Sequence, residues 1–220
     1  MEFNEKDAYT IYCCDVETTG LLDECDVIEL SMLRLTSTKN GFDEEQKTWC
    51  IKALNIEAIQ AEALKINGHK YEDITWQSEY GKNTYKEPKD VIQEIELWMM
   101  DDEKSSIDRI FLGQNADYDK KMLENMWKRA GTEQTFPFNL AKGNRILDTK
   151  QLALLVDVCT GKRRARYDLT GLVKAFGIKK GKSHTATDDT KMTSDLAVKV
   201  ISAVRQAIIE HFNEAYIEEK

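Results

Sequence analysis

The sequence predicts an α/β fold in which one central sheet is covered by helices. Segments of strand type come first, at residues 8–15, 26–36 and about 47–53. Strands and amphipathic helices then alternate to the end of the chain, an order typical of a sheet with helices packed against it. The chain has 220 residues and contains no internal repeat and no low-complexity stretch. We therefore expect a single domain over residues 1–220.

The later elements are predicted from apolar spacing and from glycine stops. Residues 106–115 contain a short, continuously apolar strand of the buried type. Residues 77–90 are polar and include Gly and Pro, which predicts a loop. The predicted helices lie within residues 55–69, 89–100, 117–131, 145–158, 167–178 and 187–212, the fourth preceded by a short strand or turn.

The charge balance restricts the partners. The chain has 31 Lys and Arg against 39 Asp and Glu, a net charge of −8. This charge argues against coating nucleic acid over a whole surface, but it permits a local basic path beside an acidic pocket. No apolar run approaches the ~20 residues of a membrane span, and the polar N-terminal segment is no signal peptide. We expect no membrane association and a cytoplasmic location.

The cysteines predict a structural role. The chain has five of them, an odd number, and no CxxC pair. Cys13 and Cys14 lie inside an apolar run and are interpreted as small buried hydrophobic residues. Neither a zinc site nor a disulfide framework is expected, and free thiols fit a reducing compartment.

Two carboxylates follow the first predicted strand. Residues two apart in a strand point to the same side, so Asp15 and Glu17 share one face at the carboxyl end. Open α/β sheets place their ligand crevices at that end. Gly20 allows the tight turn that follows and leaves backbone N–H groups approachable. A solvated turn with two exposed acids explains this stretch equally well.

Two further acidic clusters follow at element boundaries. In "GQNADYDKKML", Asp117 could cap a helix and Asp119 would lie in its first turn. In "SHTATDDTKMTSDLA", His184 precedes a long helix whose first residues include Asp188 and Asp189. Both aspartates could merely favour the helix dipole, and a lone histidine before a helix is usually incidental.

Together and in this order, the three clusters resemble one family. "DVETTGL", "QNADYD" and "HTATDD" are similar to the three motifs of the DnaQ-like 3′–5′ exonucleases of the DEDDh branch. Gln114 stands where the family usually has His, and Tyr118 where it has Phe; His184, Ala186 and Asp189 match motif three. The resemblance covers about residues 9–205 and implies a ribonuclease H-like fold, with a mixed central sheet flanked by helices.

The resemblance also implies a catalytic site. It selects Asp119 over Asp117 and Asp189 over Asp188, and it implies that Asp15, Glu17, Asp119 and Asp189 converge. Two carboxylates ~4 Å apart repel by about 4 kcal/mol at an effective dielectric near 20, so cations are needed. Oxygen ligands suit two Mg²⁺ or Mn²⁺ ions and not zinc. By resemblance, Asp15 bridges the ions, Glu17 and Asp189 hold one, and Asp119 reaches the other mainly through water.

The implied reaction is hydrolysis of the terminal phosphodiester bond of single-stranded DNA with a free 3′ end, which releases a nucleoside 5′-monophosphate. His184 is the implied general base, and its ordinary pKa of ~6.5 suits that role at neutral pH. The residues implied to bind the 3′-terminal nucleotide are Thr18, Thr19, Gly20, Leu21 and Asn115.

Several alternatives remain open at this level. The motifs do not separate DNA from RNA, so a 3′–5′ exoribonuclease is the main alternative. An inactive nucleic-acid-binding or scaffold module is a third reading, although all four acids and the histidine are present. Basic residues at 161–166 and 178–184 form either a phosphate path or a solvated surface. Proofreading would need a separate polymerase partner. Trp76, Trp98 and Trp127 are interpreted as core residues rather than base-stacking platforms.

Overall fold

The fold is a five-stranded mixed sheet with helices on both faces. The computed structural model describes residues 8–138, 145–181 and 185–211. The strand order is β3-β2-β1-β4-β5. The strands are β1 (Thr10–Thr18), β2 (Val27–Thr38), β3 (Gly41–Cys50), β4 (Arg109–Gly113) and β5 (Ile146–Asp148).

Helices connect and cover these strands. The helices are α1 (Ala61–Asn67), α2 (Tyr71–Ile74), α3 (Glu79–Thr84), α4 (Pro88–Met100), α5 (Ala116–Ala130), α6 (Thr149–Thr160), α7 (Leu169–Ala175) and α8 (Ala186–His211). Two short 3₁₀ turns, Ile56–Ala58 and Ser106–Asp108, precede α1 and β4. This arrangement confirms the predicted α/β class with a mixed sheet flanked by helices.

Strand β1 lies at the centre of the sheet. It pairs antiparallel with β2, where Glu17 is opposite Glu29, and the register shifts just after Glu17. On its other side it pairs parallel with β4, which in turn pairs parallel with β5. A strand covered on both faces must be apolar along most of its length, which explains why the acids appear only at its end.

The alternation of β1 assigns each residue to one of two cores. Tyr12, Cys14 and Val16 pack in the large core with residues of α4 and α5. Ile11 and Cys13 point the other way and pack in a second core that includes Ala197 of α8. Because side chains alternate, the odd-numbered face continues through Asp15 and Glu17 toward α8. The strand period therefore delivers two carboxylates to the helix that carries motif three.

Several local predictions are confirmed. Cys13 and Cys14 are buried, and all five cysteines are free. Trp98 and Trp127 are buried core residues. Trp76 is partly buried, and its indole N–H donates to the carbonyl of Tyr85 at 2.7 Å. Within the described ranges, none of the helices combines the length and the apolar composition that crossing a bilayer demands.

Other local predictions are wrong. Residues 77–90 are not only a loop, because α3 forms there with Ser78 as its cap; Ser78 Oγ accepts the N–H of Gly81 at 2.8 Å. Strand β3 begins at Gly41, six residues before the predicted start. Asp117 is not the cap of α5: Asn115 occupies that position in the left-handed conformation, and its side chain makes no capping bond.

Gly81 gives a test of the helix that the sequence did not predict. A Cβ at Gly81 would overlap the backbone of Asp73, so α3 can pack on α2 only through a glycine. We expect Gly81→Ala to lower the free energy of unfolding by about 3 kcal/mol, the upper end for overpacking, because a backbone must move. Urea unfolding checks this. Lys82→Ala is the control and should cost under about 1 kcal/mol, because it removes only an exposed ion pair with Glu79. Equal losses would contradict the packing.

Candidate active site

Three carboxylates meet where β1 ends against the start of α8. Ligand-type oxygens of Asp15, Glu17 and Asp189 all lie within 4.8 Å of one another. Asp15 and Glu17 come from the odd-numbered face of β1, and Asp189 lies in the first turn of α8. All three side chains are partly exposed, so an ion or a substrate can reach them.

Asp119 approaches the same strand from the opposite face. It is 5% exposed, and its Oδ1 accepts the backbone N–H of Val16 at 3.2 Å. Val16 lies between Asp15 and Glu17, so this bond fixes α5 against the strand at the level of the two acids. Among the described residues, the tight carboxylate group does not include Asp119. It therefore borders the group rather than joining it.

The acids raise one another's pKa values. Burial, then repulsion from Asp119, Asp189 and Glu17, raises the pKa of Asp15 well above its usual range. Burial raises the pKa of Glu17 to about 7, with repulsion from Glu29 as the next cause. Burial also raises the pKa of Asp119 to about 8, although the N–H of Val16 opposes this shift. Without cations these groups resist ionisation together.

A further acid, Glu29, and a histidine, His69, lie beside the carboxylate group, and neither was predicted from the sequence. Glu29 lies opposite Glu17 across the β1–β2 pair. His69 bridges Glu29 and Tyr85, with Nε2 2.9 Å from Glu29 Oε2 and Nδ1 2.6 Å from the Tyr85 hydroxyl. The charge of Glu29 raises the pKa of Glu17 and that of His69 lowers it. The proximity of Glu29 to Glu17 follows from the strand register, since the stretch "VIEL" gives no local signal of it.

The turn after β1 is held by its own side chains. The Thr18 hydroxyl donates to the Gly20 carbonyl at 2.7 Å, and the Tyr118 hydroxyl reaches the same carbonyl at 3.2 Å. Thr19 N–H donates to the carbonyl of Asp26 at 2.8 Å, and Thr19 Oγ1 accepts from the N–H of Asp26. The amide of Thr19 is therefore used inside the fold.

Gly20 is required for space. A Cβ there would lie 2.5 Å from the Gln60 side chain and 2.8 Å from Cys25 Sγ. Leu21, which follows, is 78% exposed. Asn115 is also exposed, and its Oδ1 accepts from Lys150 Nζ at 3.0 Å. Leu21 and Asn115 therefore present their side chains to solvent.

Asp148 ties the motif-two helix to the end of the sheet. Its Oδ2 accepts the N–H of Ala116 at 3.0 Å and its Oδ1 accepts the N–H of Lys150 at 2.8 Å. One carboxylate thus caps both α5 and α6, and supplies the cap that Asn115 does not. The sequence does contain a signal for this cap, because "ILDTKQL" places an acid directly before a helix. The sequence analysis predicted only a short strand or turn at this position.

The structure places the remaining candidate residues as follows. Asp117 is exposed on α5. Asp188 lies against Gly181, where an added Cβ would be 3.1 Å from Asp188 Cγ. Among the described residues, the carboxylate group contains Asp189 and not Asp188. His184 lies outside the described residues, and its role stays a prediction.

The residues present fit divalent cations. The group offers only carboxylate oxygens, the hard donors that Mg²⁺ and Mn²⁺ prefer. Bound cations would also relieve the repulsion that raises the pKa values of these acids. An acidic site of this kind at the carboxyl end of a central strand is typical of metal-dependent hydrolases of phosphate esters.

The family follows from comparison with known proteins. The exonuclease family model, RNase_T, matches residues 12–197. This chain therefore belongs to that exonuclease family.

Individual relatives are more distant. The DNA polymerase III PolC-type of Staphylococcus aureus is 24% identical over 216 residues, which are 95% of this chain and 12% of that protein. The chain therefore spans about an eighth of the length of the curated relatives it matches. Cell-death related nuclease 4 (CRN-4) superposes with a TM-score of 0.70 at 13% identity, over 90% of this chain and 65% of that one. E. coli Exonuclease I in complex with a dT13 oligonucleotide gives 0.67 at 18% identity, over 93% and 43%.

The raised pKa of Asp119 predicts a pH-dependent cost in the metal-free protein. A carboxyl whose pKa is raised in the folded state contributes its full stability below pH ~4, and loses it as pH rises through about 8. We expect Asp119→Asn in excess chelator to be more stable than wild type at pH 8.5, on the order of 1 kcal/mol. At pH 5 this advantage should disappear.

Urea unfolding at the two pH values measures this difference. Asp117→Asn is the matched control, because it removes the same charge from an exposed position on the same helix. It should change stability at neither pH. If Asp119→Asn is destabilised equally at both pH values, the raised pKa of Asp119 is not the cause of the pH-dependent cost.

Proposed function

We propose that this chain is a 3′–5′ exonuclease that removes nucleoside 5′-monophosphates from single-stranded DNA, with two Mg²⁺ or Mn²⁺ ions as cofactors. The observation that carries the proposal is the carboxylate group of Asp15, Glu17 and Asp189, bordered by the buried Asp119. This arrangement supports one tightly held ion position with a second beside it.

Each acid receives a role from its position. Asp15, central among the acids, is proposed to contact both ions. Glu17 and Asp189 would hold one of them, and Asp119, tied to the Val16 amide, would hold the second mainly through water. The cations would supply neutralisation of the phosphodiester oxygens and a lowered pKa for the attacking water.

The other residues position the terminal nucleotide and move the proton. Thr18, Thr19 and Gly20 shape the turn that presents the exposed Leu21 to the terminal base. Asn115, exposed beside the motif-two helix, is proposed to contact the substrate strand. His184 is proposed as the general base that takes the proton of the attacking water, a role suited to an imidazole near neutral pH.

DNA is the proposed substrate rather than RNA. The structure of E. coli Exonuclease I holds a dT13 oligonucleotide, and the PolC-type relative is by name a DNA polymerase. We carry both indications to this chain as proposals, together with a polymerase as the partner in proofreading. Trimming of RNA 3′ ends remains the second candidate and is one arm of the test.

The test uses 5′-labelled single-stranded DNA, duplex DNA and RNA, each with Mg²⁺, Mn²⁺, Ca²⁺, Zn²⁺ or excess chelator. We expect Mg²⁺ or Mn²⁺ to support a ladder of shortened products that keep the 5′ label, together with nucleoside 5′-monophosphates. Asp15→Asn should lose at least about 100-fold in rate, because removing a metal ligand costs several kcal/mol of transition-state stabilisation.

The matched control is Asp117→Asn, which should cleave at the wild-type rate. Release of the 5′ label as a mononucleotide in the first turnover would contradict the polarity. Full activity in chelator would contradict the metal requirement, and faster cleavage of RNA would favour the second candidate.

A further inference from the structure

One segment of this acidic chain is strongly basic. Residues 149–181 contain eight Lys and Arg and only two acids, whereas the whole chain has a net charge of −8. The segment comprises α6, α7 and the loops that follow each helix. The rest of the chain is correspondingly more acidic, so the charge is sharply divided.

Both acids of the segment are neutralised inside it. Asp157 pairs with Arg164 at 2.8 Å, and its side chain is 3% exposed. Asp168 pairs with Arg166 at 2.6 Å and caps α7 by accepting the N–H of Gly171. The surface of the segment is therefore positive without nearby compensation from its own carboxylates.

Six Lys and Arg residues of this segment are exposed, and we call the five that lie in the loops after α6 and α7 the basic rim. Its members are Lys162, Arg163, Arg166, Lys179 and Lys180. Apart from the Arg166–Asp168 pair, none of them forms an ion pair with an acid of the described ranges. Exposed cations held in one region attract a polyanion more strongly than their average over the surface suggests.

The two loops that carry the basic rim contact the stretches of chain that contain motif two and motif three. The loop after α6 returns to motif two at Tyr167, whose carbonyl accepts from Gln114 Nε2 at 2.8 Å. The loop after α7 reaches motif three at Gly181, whose N–H lies 3.3 Å from Met192 Sδ and which packs against Asp188. Arg166 precedes Tyr167 in the sequence and Lys180 precedes Gly181, so each of these contacts is next to a residue of the basic rim.

The two loops belong to one packed unit. Ala153 of α6, Leu172 of α7 and Leu196 of α8 form a small buried core. Phe176 and Ile178, which lead into the second loop, pack against it. The rim is therefore fixed relative to α8 and to the acids, which favours a preorganised binding surface over a mobile tail.

The length of the first loop sets the reach of the surface. Four residues lie between Lys162 and Tyr167, so these five residue steps span at most about 18 Å of extended chain. The side chain of Arg164 turns inward over the Phe176 ring, at 4.4 Å from its centroid, whereas Arg163 and Arg166 are exposed. The exposed cations of the first loop, Lys162, Arg163 and Arg166, therefore all lie on chain within this distance of Tyr167.

We propose that the basic rim binds the sugar–phosphate backbone of the nucleotides on the 5′ side of the scissile bond, so that the substrate strand leaves the site across the loops after α6 and α7. The inference rests on the proposed function. It names the binding determinant as phosphate charge, so binding should depend on strand length and salt and little on sequence.

The test measures binding and cleavage separately. Binding of fluorescent dT16 is followed by anisotropy between 50 and 300 mM salt, with every protein carrying Asp15→Asn so that the strand is not consumed. We compare Lys162→Glu/Arg163→Glu with Lys89→Glu/Lys128→Glu. The second pair also reverses two exposed lysines, but on α4 and α5 outside the rim.

We expect the rim variant to bind at least tenfold more weakly at 100 mM salt. The slope of log affinity against log salt should become shallower by about 1.4, because each lost phosphate contact on a single strand contributes ~0.7. The control should keep the slope of the parent. An unchanged slope and affinity for the rim variant would overturn the proposal, and would leave the rim as a surface for an acidic protein.

Cleavage without the Asp15 substitution separates this inference from the proposed function. The p-nitrophenyl ester of thymidine 5′-monophosphate fills only the cleavage site, so the rim variant should hydrolyse it at the wild-type rate. With dT2, dT4, dT8 and dT16, wild-type kcat/KM should rise with length and that of the rim variant should not. If the wild-type protein cleaves neither the ester nor any of the oligonucleotides, the proposed function is wrong. The salt dependence of dT16 binding still tests whether the basic rim binds the strand.

Discussion

Mutual repulsion among carboxylates is the constraint on which the rest of this structure depends. Asp15, Glu17 and Asp189 present oxygens within 4.8 Å of one another, and Asp119 is buried beside them. Burial and neighbouring charge raise the pKa of Glu17 to about 7 and that of Asp119 to about 8. Such an arrangement stores unfavourable energy in the metal-free protein, and it lasts only because the surrounding fold is stable. In the proposed function, divalent cations would offset this repulsion by binding between the carboxylates.

The fold holds the acids in place through strand alternation and through hydrogen bonds from backbone N–H groups. The alternation along β1 sends its even residues into the core beneath α4 and α5 and its odd residues toward α8. Asp119 is fixed by the N–H of Val16, and the helix that carries it is capped by Asp148, which caps α6 as well. The basic segment that follows Asp148 then returns to motif two at Tyr167. The proposed metal ligands, the helix caps and the proposed path of the substrate are therefore linked through neighbouring contacts.

The sequence was sufficient for features that depend on local period or on motif order. It predicted the α/β class and the exonuclease family, because strand alternation and the three motifs are readable along the chain. It could not predict Glu29 and His69, since their proximity to Glu17 arises from the β1–β2 register and from a contact with Tyr85. It also misassigned Asp117 as a cap, because the capping carboxylate, Asp148, lies 32 residues after Ala116. Long-range pairing is what local pattern does not encode.

The most direct test of the metal site is anomalous diffraction from crystals grown with Mn²⁺ and a nucleoside 5′-monophosphate. The account predicts two manganese peaks about 3.5–4 Å apart, both within ligand distance of Asp15, with Glu17 and Asp189 on one ion and Asp119 near the other. Manganese at Glu29 and His69 alone, or no manganese at these acids under saturating conditions, would contradict the account.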